Sequence, residues 1–265
     1  EDSRGRVWAG TWGGGLFRLA GDHFVRQFDL AERGEPVTAL KEFPEGVLWI
    51  GTAAGLIRCA DDKLERFASL GGAAAGDVRV LEGGRDGELW VGTQGQGLGR
   101  YKDGKFQTFG PADGLSRNCF LALYQEEDRT LWIGTLDRGL CRYRDGRFAT
   151  ITMDQGLPNS VIGHIEDDLL GNLWFSSQKG LFRISNRIVH LATEGQTGLL
   201  PALVFGSAEG MTTAATSSGF TPSGFRSPDG RLWFPTARGI AVVNPGAVKP
   251  NRVPPSVWIE KILVD

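Results

Sequence analysis

Histidines, cysteines and paired acids are the residue types from which a reactive or metal-binding centre would be built, and here their spacing speaks against one. His23, His164 and His190 lie far apart, with no HxH or HExxH pattern to bring two imidazoles onto one ion. His164 stands in an apolar stretch, where a hydrogen-bonded core imidazole is the expectation and a channel-lining one the alternative. Cys59, Cys119 and Cys141 are odd in number and show no CxxC, so they form neither a disulfide framework nor a zinc site. They read as small buried hydrophobes. There is no G-x-S-x-G elbow for a nucleophilic serine. Gly13-Gly14-Gly15 joins two strands and has no helix behind it to hold a phosphate. The acid pairs Asp61-Asp62, Glu126-Glu127 and Asp167-Asp168 could do acid–base work, but they fall in turns and read as solvated. The expectation is therefore no catalytic residues, no metal, no cofactor and no enzyme.

What remains is recognition. Trp12, Arg79, Gln94, Arg117, Asn118, Asp137, Arg138, Asn159, Gln178, Lys179 and Arg238 combine an indole, guanidinium groups, amides and a carboxylate. That mixture suits a hydroxyl-rich or anionic small molecule. Taken singly, each is also an ordinary solvated loop residue. Only the elements that carry them can make them converge.

Those elements repeat. Val7-Trp8-Ala9-Gly10-Thr11, Leu48-Trp49-Ile50-Gly51-Thr52, Leu89-Trp90-Val91-Gly92-Thr93 and Leu131-Trp132-Ile133-Gly134-Thr135 are one motif. Leu173-Trp174-Phe175-Ser176-Ser177 and Leu232-Trp233-Phe234-Pro235-Thr236 are weaker copies, and the tryptophans step by 41, 41, 42, 42 and 59 residues. An Asp/Gly turn such as Arg85-Asp86-Gly87 precedes the Trp strand and suits a two-residue hairpin. A Gly-Leu pair opens the next strand (Gly55-Leu56, Gly97-Leu98, Gly139-Leu140), and a second turn, Asp103-Gly104 or Asp145-Gly146, leads to an outer strand. A loop then reaches an apolar inner strand, as at Val37–Leu40, Val78–Leu81, Cys119–Leu123 and Val161–Ile165. Four short strands in some forty residues, without helical periodicity, make the blade of a β-propeller. A linear solenoid of hairpins is the alternative, disfavoured because a Trp in every copy suits blade-on-blade packing. The fold class is all-β, with six four-stranded antiparallel blades that make up most of a seven-bladed ring.

Because strands alternate direction, the loops after the Trp strand and the loops before the inner strand emerge on one face. The candidate residues are the positions on that face that differ between copies. The excess in the last interval falls within Glu194–Gly224 and is expected to be a long loop of the last blade. A formal charge of −2 with both signs interspersed argues against nucleic acid or an anionic membrane as partner. At 41% hydrophobic residues the chain can bury a core, so disorder is excluded.

In its motifs, D-x-x-G-x-[LV]-W-[IV]-G-T followed by Gly-Leu-x-Arg (Leu131–Thr135 through Gly139–Arg142) and the linker Asp113–Asn118, the chain resembles the two-component regulator propeller family. The resemblance runs from Glu1 to Pro245, while Pro254–Glu260 is similar to the segment entering that family's Ig-like linker domain. It implies a propeller over residues 1–250, its first repeat incomplete, and the start of the linker over 251–265. It further implies a sensory, ligand-binding segment of a membrane-spanning regulator, periplasmic or extracellular. The signal would be a carbohydrate or oligosaccharide. The other partners would be further domains of the same sensor and a second copy in a homodimer, without membrane insertion by this segment. Glu1–Gly5 stand inside a repeat already begun, so a longer parent chain is expected. The rival readings are a propeller lyase or glycosidase and a purely structural dimerisation module.

Overall fold

The computed structural model describes residues 1–13, 15–30, 36–115, 119–198 and 200–248. Arg117, Asn118 and the linker expected at 251–265 lie outside them. Among the described residues six antiparallel blade sheets follow one another around an axis, beside a two-stranded ribbon of Ser69–Leu70 and Ala73–Ala74, and the solenoid is ruled out. The second blade is Val37–Glu42, Val47–Thr52, Gly55–Ala60 and Lys63–Phe67, paired in that order. The third (Val78–Gly83, Leu89–Thr93, Leu98–Lys102, Lys105–Phe109) and fourth (Phe120–Gln125, Leu131–Thr135, Leu140–Arg144, Arg147–Ile151) repeat it. The fifth consists of His164–Asp167, Asn172–Ser177, Gly180–Ser185 and Leu203–Phe205. The first blade has three strands, Trp8–Gly10, Gly15–Ala20 and His23–Asp29, and the sixth has Phe225–Arg226, Leu232–Thr236 and Gly239–Val243.

The Trp strands of the second to fifth blades bury their indoles against the following blade. Trp49 packs with Val78, Leu81 and Val91 of the third blade and meets the Tyr101 ring edge-on at 5.2 Å. Trp90 reaches Phe120 and Tyr143 of the fourth, Trp132 reaches Ile162 and Ile165 of the fifth, and Trp174 reaches Leu232 and Phe234 of the sixth. The apolar core is thus a chain of interblade layers. No sheet hides both its faces alone, so burial ties the blades into a ring.

The glycine two residues after Trp marks the closest approach between blades. A Cβ on Gly10 would lie 2.3 Å from Val37 Cγ1, one on Gly51 2.7 Å from Val78 Cγ1, and one on Gly134 2.6 Å from the Ile162 carbonyl oxygen. At Gly134 the obstacle is backbone. Gly134→Ala is therefore expected to cost about 2 kcal/mol through displacement of the next inner strand. Urea unfolding measures it, and a neutral substitution would refute the close-approach account.

Three expectations are corrected. The turn before the Trp strand is wider than two residues: Gly84 N–H donates to Glu88 O, enclosing Arg85–Gly87, and only Gly87 is left-handed at φ 80°. The two-residue hairpin belongs to the later turn, where Asp103 and Gly104 have φ of 50° and 75° and Lys102 pairs Lys105. The expected inner strand Val161–Ile165 begins at His164, because Ile162 N–H donates to Thr135 O of the preceding blade instead of pairing within its own sheet.

The third correction concerns the long interval. It is not one loop of the last blade. A helix, Asn186–Thr193, intervenes between the third and outer strands of the fifth blade, where other blades have a tight turn. It seats Val189, fully buried, with Ile188 and Ala192 on the fifth-blade core. Two helical turns carry too few apolar positions to show a 3.6-residue period in the sequence. The remainder of the interval, Thr216–Gly224, enters the centre of the ring.

Candidate functional site

The repeated Thr and Gly-Leu build the loop face. In all six blades the hydroxyl closing the Trp strand donates to the carbonyl of the glycine that opens the next strand. The pairs include Thr93 with Gly97 at 2.7 Å, Thr135 with Gly139 at 2.9 Å and Ser177 with Gly180 at 2.8 Å. Thr11, Thr52 and Thr236 do the same. The same oxygen accepts a backbone N–H from within the loop, from Gln96, Arg138, Lys179 or Arg238. Each loop is thereby fixed by its own backbone, and its variable side chains are free to differ.

Of the candidate residues, the structure brings three together. Trp12, 65% exposed, meets Phe220 edge-on at 5.8 Å. One residue further, the Thr221 hydroxyl donates to the Arg79 carbonyl. The Arg79 guanidinium donates to Gln94 Oε1 at 2.7 Å and to Asp77 Oδ2 at 2.5 Å. Asp77 Oδ1 and Arg79 Nε, both buried, have no hydrogen-bond partner in the protein. Asp137, Arg138, Gln178, Lys179 and Arg238 are exposed on the loops of the fourth to sixth blades. Asn159 differs: it is buried, and its Oδ1 accepts the Val161 N–H at 2.8 Å, holding a turn.

Thr216–Gly224 occupies the axis. Thr221 pairs in parallel with Ala39, donating to Thr38 O and accepting from Leu40 N–H, as a neighbouring inner strand would. A Cβ on Gly219 would lie 3.8 Å from Leu121, and the Ser223 hydroxyl donates to Gly163 O at 3.0 Å. One segment so touches the inner strands of the second to fifth blades and fills the channel from the loop face. Below it, a cavity of about 580 Å³ opens toward the opposite, turn-side end.

Strand register sets the walls of this cup. The residues paired across from Trp49, Trp90, Trp132, Trp174 and Trp233 are Lys41, Glu82, Tyr124, Glu166 and Phe225, and all five line the cavity. Lys41 Nζ donates to Glu82 Oε2 at 2.9 Å. His164 lies 3.3 Å from Glu166 through Nε2 and 3.2 Å from the Ser223 hydroxyl through Nδ1. Burial raises the pKa of Glu82 above the usual carboxylate value; Lys41 opposes the shift and the charge of Glu166 adds to it. The Tyr124 phenol is likewise pushed up, by burial and by Asp167, to whose Oδ2 it donates at 3.2 Å.

The sequence contained the cup as a fixed offset: each of its five wall residues stands eight positions before a tryptophan. Within an otherwise apolar inner strand, nothing but that offset marks these positions. In two of the acid pairs one member is buried. Asp168 is buried beneath the Trp174 indole, and Glu126 is buried against His190, whose Nε2 lies 2.8 Å from Glu126 Oε2. Asp61-Asp62 is an exposed left-handed turn, as expected. The cysteines are free, Cys59 and Cys141 buried and Cys119 half-buried. Among the described residues no group of three His, Cys, Asp or Glu side chains is placed to hold a metal ion, and no helix is long and apolar enough to cross a membrane.

No family model and no curated protein matches the chain. Solved structures do. The extracellular domain assigned to the hybrid two component system BT3049 of B. thetaiotaomicron aligns with a TM-score of 0.74 at 22% identity, over 92% of this chain and 33% of that one. The extracellular domain assigned to the one component system BT4673 of the same organism aligns at 0.63 and 19%, over 91% and 37%. Virginiamycin B lyase from Staphylococcus aureus aligns at 0.70 and 15%, over 91% and 76%. The chain therefore spans about a third of the length of the two sensor domains, and at these identities the likeness is one of fold.

Proposed function

We propose that this chain is the extracytoplasmic sensory propeller of a membrane-spanning signal-transduction regulator. It binds a carbohydrate or similar small polar ligand on its loop face and relays occupancy to an output domain across the membrane. One observation carries the reading: the exposed Trp12–Phe220 pair is joined through Thr221 to the Asp77–Arg79–Gln94 cluster, which holds two buried polar atoms without partners. An aromatic face beside a guanidinium and an amide is how a protein grips the apolar and hydroxylated sides of a sugar ring. The fold shared with extracellular sensor domains supports the setting. Contact with other domains of the regulator and pairing of two copies belong to the same proposal.

Binding without turnover is part of this reading, although the fold also serves a lyase. Among the described residues the loop face carries no imidazole beside a carboxylate: His23 pairs with Asp22 in a hairpin turn, His164 lies inside the channel, and His190 sits against Glu126. Thermal unfolding against a panel of oligosaccharides tests the proposal. A cognate member at a hundred times its Kd should add about 2.7 kcal/mol to stability, and Trp12→Ala should weaken binding at least tenfold. Uniform silence across the panel would favour a scaffold, and consumption of any member would favour an enzyme.

A further inference from the structure

The cup at the turn-side end of the axis is a second site, independent of the loop face. Its walls are one residue from each of five blades at one level, and four residue types share the five positions: an ammonium, two carboxylates, a phenol and a phenyl ring. A structural ring in a repeat protein would keep one side chain at an equivalent position, as the tryptophans opposite these residues do. The floor is polar too, because Ser223 and His164 meet there. Charge is unbalanced: the acids Glu1, Asp2, Glu42, Glu82 and Glu166 line the cavity, and among its lining side chains Lys41 is the one lysine or arginine. Lys41 engages Glu82, and the only charged-type neighbour of Glu166 recorded within 4.0 Å among the described residues is the His164 imidazole.

We propose that this axial cup binds a small organic cation that also carries hydroxyl groups, an aminated sugar being the simplest such molecule. The ammonium sits between Glu82 and Glu166, the hydroxyls meet Tyr124, Ser223 and His164, and the apolar side rests on Phe225. A cavity of about 580 Å³ accommodates one or two sugar rings. Glu82 and Glu166 line the same cavity and Lys41 engages Glu82, so a cation placed between the two carboxylates balances a charge that Lys41 alone leaves.

Isothermal titration of the full chain with glucosamine, N-acetylglucosamine and glucose tests this. The three share a ring, and only the first carries a cation at neutral pH. Glucosamine should bind at least tenfold more tightly than either neutral sugar, and Glu166→Gln should remove that preference while the variant unfolds at the wild-type temperature. Glu82→Gln, which leaves Lys41 in place, should weaken glucosamine to a similar degree. Absence of glucosamine binding, equal binding of all three sugars, or a preference intact in both folded variants would overturn the proposal. Because none of these variants touches the loop face, the outcome is separate from that of the Trp12 experiment.

Discussion

Trp132→Ala should lower the unfolding free energy by about 3–5 kcal/mol, the cost of emptying a fully buried large site. Trp132 has no exposed surface, and its neighbours Ile162, Ile165 and Leu173 belong to the next blade. The cavity would open at the seam between the fourth and fifth blades, whose backbones are already in contact at Gly134, so collapse around it is restricted. Its indole N–H has no acceptor, whereas the other five repeat tryptophans each have one. The loss is therefore one of apolar packing, uncomplicated by a broken hydrogen bond. Urea unfolding followed by far-UV circular dichroism measures it, and a loss below about 1 kcal/mol would contradict the interblade wedge.

Asp168→Ala should cost roughly 3 kcal/mol, because hydrogen bonds to a charged acceptor and the donors orphaned by its removal both count. Asp168 Oδ2 accepts from the Trp174 indole and the Asn172 amide, both at 2.9 Å, and Oδ1 accepts the backbone N–H groups of Leu170 and Asn172 at 2.8 and 3.0 Å. One carboxylate thus closes the turn and fixes the indole. Asp2 does the same for Trp8, six residues on. Burial pushes the Asp2 carboxyl up, but hydrogen bonds from Trp8 and Arg6 outweigh it and hold the pKa at about 2. Asp168→Asn keeps part of the acceptor geometry and should lose about 1 kcal/mol. If alanine and asparagine were equally mild, the carboxylate would be a turn residue and no more.

These two substitutions divide what could be read in the chain from what could not. Trp132 and Gly134 recur at a fixed period, and repetition exposes packing because every blade must solve the same problem. The architecture was legible for that reason. Asp168 was placed among solvated turn acids because neighbouring acids suggest exposure, and nothing local says that one of them turns inward beneath an indole. The helix Asn186–Thr193 interrupts the repeat, so nothing periodic in the sequence marks it. On the loop face, Trp12, Arg79 and Gln94 were named from their variation between copies, but their meeting depends on Phe220 and Thr221. No periodicity could place those two, since that stretch has no counterpart in other blades.

Phe220 and Ser223 are three residues apart, one presenting a ring beside Trp12 and the other a hydroxyl beside His164. Three residues span at most about 10 Å. The ring that flanks one site and the hydroxyl that floors the other therefore belong to a single short segment, hydrogen-bonded between them to the second and third blades.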